Sequence, residues 1–283
     1  MKDIKIFAFA DEASSTIDEQ IIAMKDNALS GLEIRGVDGA NIVDITNEKA
    51  KEVKSKLDAN GLVTWSIGSP IGKINITDDF ATHLEQFKQT LELAEILNAQ
   101  NIRLFSFYIP KDENPAIYKD EVMLRLNKFV ETAKGSGINL CHENEKGIYG
   151  ENAENCLEIF KSVPGMKGIF DPANFVQAGV DTLKAWELLK DYTHYMHIKD
   201  AKWDGTVVPS GFGDGNLKKI VSEYIKNDGR NFTIEPHLTV FDGLKSLERE
   251  GEESIITEFS YPDSFSAFKA ACDAFKNIVK EIN

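Results

Sequence analysis

Leu140-Cys141-His142-Glu143-Asn144, Gly168-Ile169-Phe170-Asp171, Tyr195-Met196-His197-Ile198-Lys199-Asp200 and Phe232-Thr233-Ile234-Glu235-Pro236-His237 share one pattern: a short apolar run that closes on a carboxylate or an imidazole. Runs of this length, apolar with little alternation, read as strands buried on both faces, as in a parallel sheet. The closing groups Glu143, Asp171, His197 and Glu235 follow one another at steps of 28, 26 and 38 residues. A strand, a helix and their two loops occupy about 30 residues, so each step is one βα unit. Four potential ligands at the same end of consecutive parallel strands predict one shared centre at the mouth of a barrel.

The rest of the chain continues the alternation. Residues 4–9, 31–34, 62–67 and 102–107 read as four earlier strands; with 138–142, 168–170, 195–198 and 232–234 they make eight. Between them lie helical patterns. The first opens on the capping box Thr16-Ile17-Asp18-Glu19, whose hydroxyl and carboxylate satisfy free amide groups of the first turn. The second covers 47–60 and stops at Gly61. The third carries Phe80, Leu84, Phe87, Leu91, Ala94 and Leu97 at spacings of three and four, one apolar stripe of a helix. Further helices are expected over 122–133, 153–160, 182–189, 217–226 and 264–279. Strict alternation also suits an open, doubly wound sheet. Eight units, with reactive side chains spread over the ends of strands five to eight, favour closure. The predicted fold is α/β, a (β/α)8 TIM barrel, with residues 1–283 as a single domain. Residues 239–261, with Glu248-Arg249-Glu250-Gly251-Glu252-Glu253, break the pattern and read as a long acidic loop.

Composition narrows the function. The 283 residues slightly exceed the ~250 typical of this barrel, and a hydrophobic content of 42% supports a sizeable core. A formal net charge of −14 repels nucleic-acid backbones and anionic membrane surfaces. Neither is expected as a partner. Three cysteines without a paired spacing point to a reducing compartment. No run approaches the ~20 apolar residues of a membrane span, and the N-terminal apolar stretch, closed at once by Asp11-Glu12, reads as a strand rather than a signal peptide. A cytoplasmic enzyme acting on a small molecule is expected, and a homo-oligomer is compatible with the chain.

Strand parity sorts the reactive residues, because side chains two apart share a face. If Glu143 points into the barrel, so does Cys141, while His142 faces the helices as a packed core histidine. The same count aligns His197 with Lys199, Glu235 with His237, and Glu33 with Arg35. Taken singly, each residue has a bland reading: Asp171 before a proline is a helix cap, and His197 is a satisfied core histidine. Taken together, charged groups converging in an apolar barrel need neutralisation by pairing or by a metal. Three carboxylates and one imidazole suit Mn²⁺ or Mg²⁺, with Zn²⁺ or Co²⁺ also accommodated. Glu33, Asn174, Lys199 and His237 are the candidates for touching substrate. Lys199 reads equally as a holder of substrate oxygens or phosphate and as a partner for a carboxylate. Gly211-Phe212-Gly213-Asp214-Gly215 reads as a flexible turn, with phosphate binding the sharper alternative. His83 and His194 read as packing residues, and Trp65 and Phe107 as core or as an apolar wall.

Glu143-Asn144, Asp171-Pro172-Ala173-Asn174, His197-Ile198-Lys199-Asp200 and Glu235-Pro236, in this order after strands five to eight, resemble the xylose isomerase-like TIM barrels, the sugar phosphate isomerase/epimerase group. The resemblance covers essentially the whole chain. It implies that Glu143, Asp171, His197 and Glu235 bind one divalent metal ion, and that Glu143 and Glu235 double as the proton-transfer pair. The implied activity is isomerisation or epimerisation of a small sugar or sugar phosphate through an enediolate. Two alternatives stand beside it: dehydration of an inosose-type substrate on the same site, and a non-catalytic sugar-binding barrel. The DNA-repair branch, of the endonuclease IV type, uses further histidines after strands three and four and after the sixth-strand Asp. Here those places hold Ser66-Ile67-Gly68-Ser69, Ser106-Phe107-Tyr108 and Asn174, so a nuclease is not expected. Some epimerases of the group also carry histidine where Asn174 stands.

Overall fold

A computed structural model describes residues 3–241, 255–256 and 261–282. Eight parallel strands close on themselves: β1 (Lys5–Ala8), β2 (Gly31–Ile34), β3 (Val63–Ile67), β4 (Asn101–Leu104), β5 (Asn139–Glu143), β6 (Lys167–Phe170), β7 (Thr193–Ile198) and β8 (Asn231–Ile234). The closing seam pairs β1 with β8, Lys5 opposite Asn231 and Ala8 opposite Ile234. This is the predicted (β/α)8 barrel.

The helices are α1 (Ile17–Asp26), α2 (Asn47–Ala59), α3 (Phe80–Ile96), α4 (Lys119–Ala133), α5 (Ala153–Ser162), α6 (Pro172–Gln177), α7 (Thr182–Leu189), α8 (Leu217–Lys226) and α9 (Ser264–Ile282). Local chemistry starts them where the sequence indicates. Thr16 Oγ1 accepts from the Glu19 amide and donates to its carboxylate, so the N-cap half of the predicted capping box forms, while the Thr16 amide donates to Ser14 Oγ rather than to Glu19. Asp79, Asn152 and Asp181 cap α3, α5 and α7 in the same way. The short helix α6 is absent from the sequence reading. Pro172 at its first position and Asp171 as its cap are its only signals. Strand four stops three residues before its expected end. The Phe105 and Phe107 amides turn away to the carbonyls of Ile71 and Gly72, and Phe107 takes a left-handed φ of +65°. Most of the expected acidic loop, including residues 248–253, lies outside the described residues. Among the described residues no helix is long and apolar enough to cross a membrane.

The barrel interior is layered. Its lower part is apolar: Phe7, Trp65, Cys141, Ile169 and Tyr195 form one buried cluster, with Phe7 and Trp65 stacked at 4.7 Å. Two residues further along β5, β6 and β7 the same faces turn polar. Glu143, Asp171 and His197 stand there, joined by Arg103 and Glu235, all nearly inaccessible to solvent. An apolar floor beneath a charged layer sets the ionisable groups of the strand ends together in the upper interior. Trp65 and Phe107 are both core residues, Phe107 packing beside Phe80 and Phe129 outside the barrel.

Candidate functional site

The side chains of Glu143, Asp171, His197 and Glu235 each offer a ligand atom, and all four atoms lie within 4.8 Å of one another in a fully buried cluster. Each side chain arrives for a local reason. Glu143 and His197 point inward by strand parity. Asp171 is the first residue after β6 and serves two purposes: Oδ1 accepts the Asn174 amide at 2.9 Å as the cap of α6, leaving Oδ2 buried without a hydrogen bond. Asn144 fixes the same backbone from the other side, accepting from the Asp171 amide and donating to its carbonyl at 2.9 Å. Glu235 follows β8, its amide bonded to the Ile198 carbonyl of β7.

The protein's own cations face the carboxylates of the cluster. His197 lies between two carboxylates, Nδ1 at 2.8 Å from Glu143 and Nε2 at 3.1 Å from Glu33. Burial alone would lower its pKa, but the two carboxylates outweigh this and raise it to about 10. Lys199 Nζ stands 3.0 Å from Glu235 and 3.2 Å from Asp171 Oδ2. The Asp171 contact is a charge contact without hydrogen-bond alignment. Arg103 binds Glu143 at 3.0 Å and approaches Glu235 at 3.9 Å. Arg35 binds Glu235 at 3.1 Å, Glu12 at 3.0 Å and Asp11 at 2.9 Å. Burial opposes ionisation of Glu143, yet His197 and Arg103 hold its pKa down to about 2. Lys199 and its cationic neighbours hold Glu235 well below the usual range in the same way. Asp171 is the exception: burial raises it to about 7, Lys199 only partly offsetting this.

This donor set fits a divalent ion. Three carboxylates and one imidazole converge, one carboxylate oxygen is buried with no donor, and the Lys199 ammonium already occupies a place where positive charge is favoured. Glu33 is fully buried, with Oε1 accepting from the Tyr195 hydroxyl and Oε2 facing His197 Nε2. It therefore lies behind the imidazole, with both oxygens engaged by Tyr195 and His197. Asn174 donates to the Asn144 carbonyl at 2.9 Å and to Glu143 Oε1 at 3.3 Å. His237 sits beside the cluster with φ +44°, its amide bonded to Glu12 at 2.6 Å.

Three residues of this layer escaped the sequence reading as site residues: Arg35, Arg103 and Glu12. Arg103 had a readable signal, a lone cation inside Asn101-Ile102-Arg103-Leu104 at inward parity. Glu12 sits in a single turn of 3₁₀ helix after β1, where no periodicity marks it. The glycine turn at 211–215, for which phosphate binding is the sharper alternative, directs the amides of Gly211, Gly213 and Gly215 to the Asp200 carboxylate.

His142 faces outward as parity requires. Its Nε2 bonds Ser106 Oγ at 2.9 Å, its ring meets Phe160 edge-on, and Gly150 leaves room for it, since a Cβ there would stand 2.4 Å from the ring. Burial holds it neutral, with a pKa near 3. His142→Asn is expected to destabilise the fold by about 1–3 kcal/mol through lost packing and one lost partner of the Ser106 hydroxyl, which keeps the Gly150 amide. Divalent-ion affinity should stay unchanged. Denaturant melts and ion titrations check this, and a large loss of affinity with an unaltered melt would contradict it.

Comparison with known proteins agrees with the architecture. The family model described as the xylose isomerase-like TIM barrel matches residues 23–254. No curated protein sequence is matched. Among solved structures, the chain is similar to the IOLI protein with a bound zinc atom, at 13% identity, TM-score 0.76 and 99% coverage of both chains. It is similar to an L-ribulose 3-epimerase at 18% identity and TM-score 0.75, covering 100% of this chain and 96% of that one. The 3-keto-D-glucoside 4-epimerase YcjR of E. coli follows at 15% identity and TM-score 0.70, with 98% and 99% coverage. At these identities the likeness is one of fold.

Proposed function

The chain belongs to the xylose isomerase-like TIM barrel family, and on that premise we propose that it is a divalent-metal-dependent isomerase or epimerase of a small polyhydroxy carbonyl compound. The observation that carries this reading is the convergence of Glu143, Asp171, His197 and Glu235 on one buried centre, with two carboxylates on opposite supports. Glu143 comes from β5 and leans on Arg103; Glu235 comes from β8 and leans on Arg35 and Lys199. These four residues would hold the ion, and a bound divalent cation would supply Lewis acidity at the substrate's carbonyl oxygen.

The chain's own residues supply the rest. Glu143 and Glu235 are both held ionised, so each can accept a proton. One takes the proton beside the carbonyl, and the other returns one to the neighbouring carbon or to the opposite face. The resulting enediolate carries negative charge, which Arg103 and Lys199 are placed to balance. Glu33 holds His197 by its far nitrogen, as second partners of metal-binding histidines commonly do. Asn174 steadies Glu143.

The direct test is incubation with Mn²⁺ in D2O and a panel of ketoses, inososes and their phosphates. Deuterium on the carbon beside the carbonyl supports the reading. Loss of water in the product would instead mark a dehydratase. Turnover of no panel member by a metal-loaded protein would count against the activity.

The ion itself can be tested without a substrate. Mn²⁺ should raise the melting temperature saturably, because a ligand bound only to the folded state stabilises it by about 2.7 kcal/mol at one hundred times its Kd. Uptake should release about one proton per ion near pH 8, since His197 is protonated up to about pH 10 before the ion arrives. Asp171→Asn and His197→Ala should each weaken uptake. A melt indifferent to Mn²⁺, Mg²⁺, Co²⁺ and Zn²⁺ would remove the metal centre.

A further inference from the structure

The loop after β7 is built to hold an anion, and the anion it holds is the protein's own. Asp200 Oδ2 accepts from the Gly211 and Gly213 amides at 2.9 and 3.0 Å. Its Oδ1 accepts from the Gly215 and Ala201 amides, both at 3.0 Å. Successive amides turned toward one point form the kind of concavity that binds phosphate in other proteins. In barrels of this class the loops after strands seven and eight are a frequent phosphate site. The glycines serve this closeness. A Cβ at Gly213 would fall 2.4 Å from Asp200 Oδ1 and 2.6 Å from the Ala201 carbonyl, and one at Gly215 would fall 2.7 Å from Oδ1.

We propose that Asp200 is a built-in anion that fills this amide nest and so restricts the site to uncharged polyhydroxy carbonyl substrates, excluding phosphate esters. The proposal rests on the sugar isomerase reading above and names the substrate class of that same site. Two further observations point the same way. The buried cations around the centre are already engaged: Arg35 by Asp11, Glu12 and Glu235, Lys199 by Asp171 and Glu235, and Arg103 by Glu143 and the carbonyls of Gly68 and Ser69. A phosphate entering here would have to displace a carboxylate from each one it bound. The side chain left without a hydrogen bond is His237. Its two ring nitrogens are buried and unpartnered, Nε2 lying 3.7 Å from Glu12 and 4.0 Å from Glu235. Unpartnered imidazole nitrogens beside the centre offer positions that a sugar hydroxyl, both donor and acceptor, can take.

The test titrates inorganic phosphate into the full chain and into Asp200→Ser, both with the same saturating Mg²⁺, followed by calorimetry. Emptying the nest should create phosphate binding about tenfold or more tighter than that of the unaltered protein. Asp200→Asn, which keeps the volume but removes the charge and presents an amide to the donors, should move in the same direction and serves if the serine variant does not fold. Equal phosphate binding by the unaltered protein and the folded variants would overturn the proposal. In the D2O exchange assay the unaltered protein should prefer an unphosphorylated ketose over its phosphate ester by about tenfold or more in kcat/KM; preference for the ester would also overturn it. If no sugar exchanges, the isomerase reading fails, while the phosphate titration still decides the role of Asp200.

Discussion

Glu143→Gln and Glu235→Gln are each expected to lower kcat by about 10²–10⁴-fold, the usual worth of a positioned acid or base. Glutamine keeps the shape and one oxygen for an ion but cannot take a proton. The size of the loss separates two roles that these carboxylates share. If only metal binding matters, raising Mn²⁺ should restore the rate; if proton transfer matters, it should not. Metal content measured beside the rate distinguishes these cases. Glu143→Gln also removes the charge that Arg103 faces at 3.0 Å and His197 at 2.8 Å. Its imidazole should then lose protons more readily. Glu235→Gln leaves Arg35 with Asp11 and Glu12, so its fold should suffer less. Product formed in D2O without label by a metal-loaded protein would point to hydride transfer and take the carboxylate pair out of the mechanism.

How much of this was legible depended on periodicity. Inward and outward faces of a strand follow from counting by two, so Glu143 and Cys141, His197 and Lys199, and the outward His142 could be placed from the chain alone. The barrel followed from the same alternation plus the eightfold repeat of βα units. What could not be read were contacts between residues that share no element. Arg35 meets Asp11, Glu12 and Glu235 across three separate strand ends, a juxtaposition created by closure of β1 against both β2 and β8. Glu33 was placed on the correct face, but only the structure shows that His197 and Tyr195 take up both its oxygens. The glycines at 211, 213 and 215 read as a flexible turn, and the carboxylate that their amides bind lies eleven residues upstream of Gly211.

The charged layer also explains why a barrel tolerates so many buried ions. A carboxylate removed from water loses several kcal/mol of solvation unless geometry and hydrogen bonds restore it. Here each one is met by a cation lying on the same layer, and the arginines are additionally sandwiched by aromatic faces. Arg35 lies 4.4 Å from the Phe9 ring and Arg103 lies 5.0 Å from it. Phe9 thus lies against two guanidiniums that both bind carboxylates of the centre. Removing one of these cations would leave its carboxylate partners buried and uncompensated.

Arg35→Met is therefore expected to destabilise the protein by about 3–5 kcal/mol at pH 8, the usual loss when one partner of a buried ion pair is removed. Methionine approximates the stem and can lie against Phe9, so the loss would reflect charge rather than volume. Arg35→Lys should recover only part of it, since a single ammonium cannot span Asp11, Glu12 and Glu235 in the way a guanidinium fork does. The pH dependence carries the diagnosis. Burial already raises the Glu12 pKa to about 8 despite the pull of Arg35, and without that pull it should rise further. A carboxyl whose folded pKa lies above its unfolded value contributes stability that is fully present below the unfolded pKa and is lost as pH rises through the folded one. The methionine variant and the unaltered protein should thus lose stability in parallel up to about pH 8, the folded pKa of Glu12 with Arg35 in place. The variant's deficit should widen as pH rises above that value. Denaturant melts on either side of that value measure it. A variant that melts within about 1 kcal/mol of the original at pH 8, or whose deficit widens in acid, would show that Glu12 and Asp11 find other partners and that Arg35 is not the keystone of the layer.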